Sequence, residues 1–365
     1  MTSSSCSAED HNALTYPVML PKSTLHQFIA RLLDTHRLVA PVEQSGELRF
    51  QRLKSPEDIV LDYRNTPKPA KGVFFPQTEE LIRFRRSRDD FNTVQKVPLD
   101  TTPTLLLGVR PCDARSFLLL DDIFMQGPYR DPYYVARREN TLIMSLACTQ
   151  PRRTCFCHAF DSGPYDREGA DVLIRDAGNA YLLEAVSERG VQFLAGLDMV
   201  PADEEHLRRA RDIEARARQR LQPVEPVAGL EEHMADLFES DIWDEIGEKC
   251  LACGTCTYVC PTCHCFNIED RVLAEGGERL RTWDSCMYST FTLQASGHNP
   301  RPDQASRWRQ RAMHKFDYLP RNVGRYGCVG CGRCIAACPV HVDIRQILER
   351  IRQALREERS EQRTP

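Results

Sequence analysis

A chain of 365 residues, 41% hydrophobic and 27% charged, has the size and composition of a globular protein of two domains. Its net charge of −4 gives no electrostatic reason to bind nucleic acid or an anionic membrane. No apolar run reaches the roughly 18 residues that cross a bilayer, and the polar residues 1–10 lack the regions of a secretory signal, so a cytoplasmic protein without membrane insertion is expected.

Residues 1–13 are small, polar and aperiodic, and read as a disordered tail. Residues 14–222 read as an α/β domain with a mixed sheet. It begins with a helix over 22–34, followed by strand-like runs such as 72–75, which Pro76 closes. The apolar run 104–109 is a buried strand leaving through Arg110-Pro111. Asp113 is placed to cap the next helix, whose apolar face carries Phe117, Leu118, Leu120 and Phe124. Residues 141–147 form a second buried strand, and a right-handed crossover would lay the two parallel. Their carboxyl ends then share one edge, where open α/β sheets place ligands, and Cys112 and Cys148 follow them there. Residues 171–175 and 181–184 suit a hairpin, and 204–221 a solvated helix. A linker over 223–229 sets the domain boundary, leaving 230–360 as a second domain.

Sixteen cysteines stand out from this ordinary composition. In a reducing compartment clustered cysteines read as metal or redox sites rather than disulfides. Cys250, Cys253, Cys256 and Cys260, then Pro261, repeat as Cys328, Cys331, Cys334 and Cys338, then Pro339. Both have the C-x2-C-x2-C-x3-C-P spacing of two-cluster ferredoxins, in which the fourth cysteine reaches the other cluster. Cys250, Cys253, Cys256 and Cys338 are therefore expected to bind one [4Fe–4S] cluster, and Cys328, Cys331, Cys334 and Cys260 another. Structural zinc uses two cysteine pairs and leaves the third and fourth positions unexplained. The overlapping C-x3-C-x2-C of Cys256, Cys260 and Cys263 resembles a radical S-adenosylmethionine motif, but two of its members already serve the longer one. Most of residues 261–327 look helical, as does the end, where Ile344, Ile347, Leu348, Ile351 and Leu355 share a face. The fold class is thus α+β, an N-terminal α/β domain with a C-terminal α-helical ferredoxin-type domain for two clusters.

Other residues leave alternatives open. Cys112, Cys148, Cys155 and Cys157 could hold a further cluster at the sheet edge, but their spacing is irregular and buried free cysteines are common. Cys263, Cys265 and Cys286 either shield a cluster or pack, and packing is favoured. The basic run Arg301, Arg307, Arg309, Arg311, His314 and Lys315 docks a partner, offsets cluster charge, or is an exposed helix face.

The segments Gly108-Val109-Arg110-Pro111-Cys112-Asp113, Ala147-Cys148, Cys155-Phe156-Cys157, Cys260-Pro261-Thr262-Cys263-His264-Cys265-Phe266, Trp283-Asp284-Ser285-Cys286 and Gly297-His298-Asn299-Pro300-Arg301 together carry a resemblance. From about Lys71 to Asp343 the chain resembles the iron–sulfur beta subunit of cytosolic sulfhydrogenases, the bidirectional [NiFe] hydrogenases, and is similar to the 4Fe-4S dicluster component of anaerobic sulfite reductase. The resemblance implies a third [4Fe–4S] cluster on Cys112, Cys148, Cys155 and Cys157. It implies an electron-transfer subunit, not catalytic alone, that links a flavin/NAD(P)H subunit to a catalytic metal subunit. A [NiFe] hydrogenase complex is the first reading, a sulfite or sulfur-compound reductase the second, and an iron–sulfur sensor or scaffold a third. No G-x-G-x-x-G follows a predicted strand, which agrees with a conduit.

Overall fold

The computed structural model describes residues 17–85, 93–274 and 276–361, with side chains to 357. The tail expected over 1–13 lies outside the described residues. Twelve strands are present among those described: β1 (Val18–Pro21), β2 (Arg37–Gln44), β3 (Glu47–Arg52), β4 (Thr78–Arg85), β5 (Thr93–Lys96), β6 (Thr104–Val109), β7 (Thr141–Leu146), β8 (Val172–Asp176), β9 (Ala180–Ala185), β10 (Val200–Pro201), β11 (Phe266–Leu273) and β12 (Gly276–Trp283). They form one eight-stranded sheet, ordered β10-β1-β9-β8-β7-β6-β2-β3, and one four-stranded sheet, ordered β11-β12-β4-β5. With its helices the fold is α+β.

The middle of the large sheet is parallel, β2 with β6, β6 with β7 and β7 with β8. All six residues of β6 are buried, because helices cover both faces. Alternation along the strands divides the core: Leu105, Met144 and Val172 meet Ile29, Leu32 and Leu194 on one face. Leu106 and Ile143 meet Phe117, Leu120 and Tyr134 on the other. As the parallel strands require, the segments leaving β6 and β7 emerge at the same edge. The Arg110 guanidinium ties them together, donating to the carbonyls of Leu146 and Ala147 at 3.3 and 2.7 Å and to that of Arg64 at 3.1 Å.

Three local expectations are corrected. Residues Ala70–Val73 form a 3-10 turn rather than a strand, with the amides of Phe74 and Phe75 both donating to the Lys71 carbonyl. The helix Pro111–Phe124 is capped at Arg110, with Pro111 in its first turn; Asp113 lies inside that turn and is paired elsewhere. Between the cysteine repeats, β11 and β12 form a hairpin where helix was expected, and β12 pairs along its length with β4. Its strand character is long-range: Arg281 of β12 is buried against Glu79 of β4 and Asp131, and Gly276 approaches the Phe84 carbonyl where a Cβ would stand 2.2 Å away. The four-stranded sheet thus uses chain from both sides of segment 223–229.

Helices Ile242–Gly247 and Gln304–Met313 gather around Trp243, Trp308, Phe316 and the buried face Ile344, Ile347, Leu348, Ile351 and Leu355 of the final helix Ile344–Glu361. Phe156 and Phe160, from the loop after β7, belong to the same core.

Candidate iron–sulfur sites

The two cysteine repeats fold alike. In each, the amide two residues after the first cysteine points at its sulfur, Ala252 N to Cys250 Sγ at 3.3 Å and Gly330 N to Cys328 Sγ at 3.5 Å. Ala252 and Gly330 share the left-handed conformation, φ 52° and 62°, and so do Gly254 and Gly332, φ 71° and 70°. A one-turn helix follows in each, Thr255–Tyr258 and Arg333–Ala336. In the first repeat Cys250, Cys253 and Cys256 border one cleft, and in each repeat an amide faces the first sulfur, which favours a negatively charged guest.

Cys250, Cys253, Cys256 and Cys338 border one cleft that is otherwise mainly apolar, with Met287, Trp308 and Ile344 in its wall. The Val342 amide donates to Cys338 Sγ at 3.3 Å. Cys334, from the other predicted set, lines this cleft too. The thiols of Cys328, Cys331 and Cys334 each feel Cys260, and burial pushes all three up. Cys112, Cys148, Cys155 and Cys157 border a third cavity of about 370 Å³, at the edge where β6 and β7 end, together with Cys331. Burial raises these thiols as well, Cys155 to about 11 and Cys157 to about 12. A buried thiol of this kind resists bare ionisation, and iron binding compensates by replacing the proton.

The second repeat is seated directly on the loop after β7. The Phe156 amide donates to the Gly330 carbonyl at 2.8 Å. A Cβ on Gly330 would meet Phe156 and Cys157 backbone at 2.5 Å, and one on Gly332 would meet the Thr154 carbonyl at 2.3 Å. Beside them Arg333 forms a bidentate pair with Asp113, at 2.7 and 2.6 Å, and donates to Asn65 and Thr66. Both partners are buried.

Charged residues that the sequence reading left undecided stand against the sulfurs. The helix Gln304–Met313 and the π-turn His314–Tyr318 after it bury Arg307, Arg311 and Lys315, so the basic run is not an exposed face. Lys315 Nζ lies 3.4 Å from Cys260 Sγ and also bonds Thr262 and the Gly327 carbonyl. Arg311 donates to Cys263 Sγ at 3.6 Å and to the Cys256 carbonyl at 3.1 Å, while its buried Nε has no partner. Lys71 is buried, donates to the Cys263 carbonyl at 2.6 Å and sits 4.1 Å from the Trp283 ring. Among the described residues no carboxylate forms an ion pair with Lys71, Arg311 or Lys315. A hydrogen bond from the Cys263 thiol, with Lys315 and Arg311, holds Cys260 well below an ordinary thiol. Burial works to lower Lys315, yet the Cys260 and Cys263 sulfurs raise it overall. Sequence reasoning did not single out Lys71 or Arg333; a lysine before a lone glycine and an arginine inside the repeat carry no local signal.

The chemistry of these sites fits [4Fe–4S] clusters: grouped soft thiols, apolar walls, amides facing sulfur and buried cations. Among the described residues no three His, Cys, Asp or Glu converge to hold a single metal ion. Sites of this kind define an iron–sulfur protein, and residues 249–342 match the family model of the 4Fe-4S dicluster domain. The chain is 32% identical to sulfhydrogenase 2 subunit beta of Pyrococcus furiosus, over 93% of this chain and 99% of that protein. It belongs to the sulfhydrogenase beta-subunit family. No solved structure matches. No helix among the described residues is long and apolar enough to cross a membrane.

Proposed function

We propose that the chain is the electron-transfer subunit of a hetero-oligomeric oxidoreductase complex of the [NiFe] hydrogenase type. Its site is made of three [4Fe–4S] clusters: one on Cys250, Cys253, Cys256 and Cys338, one on Cys328, Cys331, Cys334 and Cys260, and one on Cys112, Cys148, Cys155 and Cys157. The observation that carries this reading is the set of buried cations Lys71, Arg311 and Lys315, set among sulfurs without carboxylates. Burying an unpaired cation costs several kcal/mol, so such a cluster of them calls for an anionic guest. Clusters held there would carry single electrons. The protein's part is to fix the thiols, keep water out and balance the charge.

Shared walls support an order for the three sites. Cys331 borders the cavity of Cys112, and Cys334 the cleft of Cys250. This favours the Cys328 set as the middle cluster of the relay. A line of this kind suits a relay from one partner to another, with a flavin/NAD(P)H subunit at one end of the wire and a catalytic metal subunit at the other. The hydrogenase reading over a sulfite reductase rests on the sulfhydrogenase relative. The domain reading is a 14–222 α/β unit and a 230–360 cluster unit in a cytoplasmic protein.

The test is iron and acid-labile sulfide per chain after oxygen-free purification. Three clusters give about 12 of each, and Cys112→Ala then removes about 4. A value near 8 that Cys112→Ala leaves unchanged would confine the clusters to the two repeats.

A further inference from the structure

Three cysteines outside the proposed ligand sets, Cys263, Cys265 and Cys286, border a separate small cavity with His264, His314 and Arg311. Two of them are paired. Cys265 immediately precedes β11 and Cys286 lies just beyond β12, so the open end of the hairpin brings them together. The Asp284 amide bonds the Cys265 carbonyl at 2.9 Å and closes that end. The Ser285 hydroxyl, 3.0 Å from that of Thr257, holds the segment carrying Cys286. Both residues line this one cavity, one from each strand end of the hairpin. Both residues are only half-buried, whereas Cys263 beside them is buried.

We infer that Cys265 and Cys286 form a redox-active dithiol that reacts with small anionic disulfides. With both cysteines on one cavity, the second displacement of thiol–disulfide exchange becomes intramolecular. Arg311 and Lys315, which line the same cavity, favour an anionic reactant. In the step, one thiolate attacks a disulfide R–S–S–R, forming a mixed disulfide and releasing one thiolate R–S⁻. The second cysteine then attacks that sulfur, closing Cys265–Cys286 and releasing the other. The pair loses two electrons and two protons, and the substrate becomes two thiols. A dithiol reductant returns the pair by the reverse exchange. The inference rests on the ligand sets proposed above, because it needs these two sulfurs free of iron.

The experiment equilibrates the cluster-loaded full chain, without oxygen, in buffers of glutathione and glutathione disulfide at graded ratios. Remaining thiols are then alkylated and the peptides weighed. The expected result is a linked 265–286 peptide that rises and falls with the ratio while iron per chain stays constant. Cys265→Ser should instead trap glutathione on Cys286, or Cys286→Ser on Cys265, with iron unchanged. Full alkylation of both cysteines at every ratio overturns the inference. So does a loss of about 4 iron in either variant, which makes the two residues cluster ligands. Low iron in the unmutated chain would instead count against the cluster reading, and the linked peptide is scored independently of it.

Discussion

Replacing Arg333 by methionine tests the joint between the second repeat and the parallel sheet. Arg333 and Asp113 are 2% and 0% exposed, and the guanidinium makes two bonds to the carboxylate at 2.7 and 2.6 Å. The variant loses those bonds and the bond to the Thr66 carbonyl at 2.9 Å, and leaves a carboxylate in the core. Removing one partner of a buried pair costs about 3–5 kcal/mol. At about 2 °C per kcal/mol for a chain of this size, the thermal midpoint falls by about 6–10 °C. Removing both partners, as in Asp113→Asn with Arg333→Met, leaves no buried charge and should recover most of the loss. Thermal unfolding of the cluster-loaded protein, followed by circular dichroism and visible absorbance together, measures the two single variants and the double one. A fall under about 2 °C for Arg333→Met, or a double variant no better than the worse single one, refutes the pairing argument.

Lys315→Met removes a cation 3.4 Å from Cys260 Sγ. That contact is worth about 5 kcal/mol for a full charge at an effective dielectric near 20. With about a quarter of an added electron at that corner, the midpoint potential falls by about 50 mV, read by redox titration with electron paramagnetic resonance, while Lys315→Arg shifts it much less. Gly330→Ala drives a Cβ to 2.5 Å from the Phe156 and Cys157 backbone at a left-handed residue, so the loops must part. A loss above about 2 kcal/mol, seen as faster proteolysis and lower iron content, is expected. Burial lowers His264 to about 4 and His314 to about 3. Their unfolded values lie near 6.5, so below that pH only the unfolded chain takes up the protons. Stability is therefore full above pH 6.5 and falls toward pH 4 by about 1.4 kcal/mol per unit for each histidine. Unfolding midpoints at pH 7 and 5.5 check this, and His314→Gln should roughly halve the slope.

Features that lie within a few residues along the chain were legible in its sequence. The like spacing of the two repeats shows as like backbone, with Ala252 and Gly330 left-handed and a one-turn helix following in each. Apolar runs long enough to be buried on both sides reported β6 and β7, and a stripe of aliphatic residues at helical spacing reported the final helix. That β11 and β12 are strands was not legible, since their order comes from pairing with β4, nearly two hundred residues earlier. Folding alone turns Arg311 and Lys315, outwardly a solvated charge run, inward to the sulfurs, and brings Arg333 to Asp113. A buried charge is set by what stands opposite it, and in this chain the opposite groups come from distant segments, which no local pattern of residues encodes.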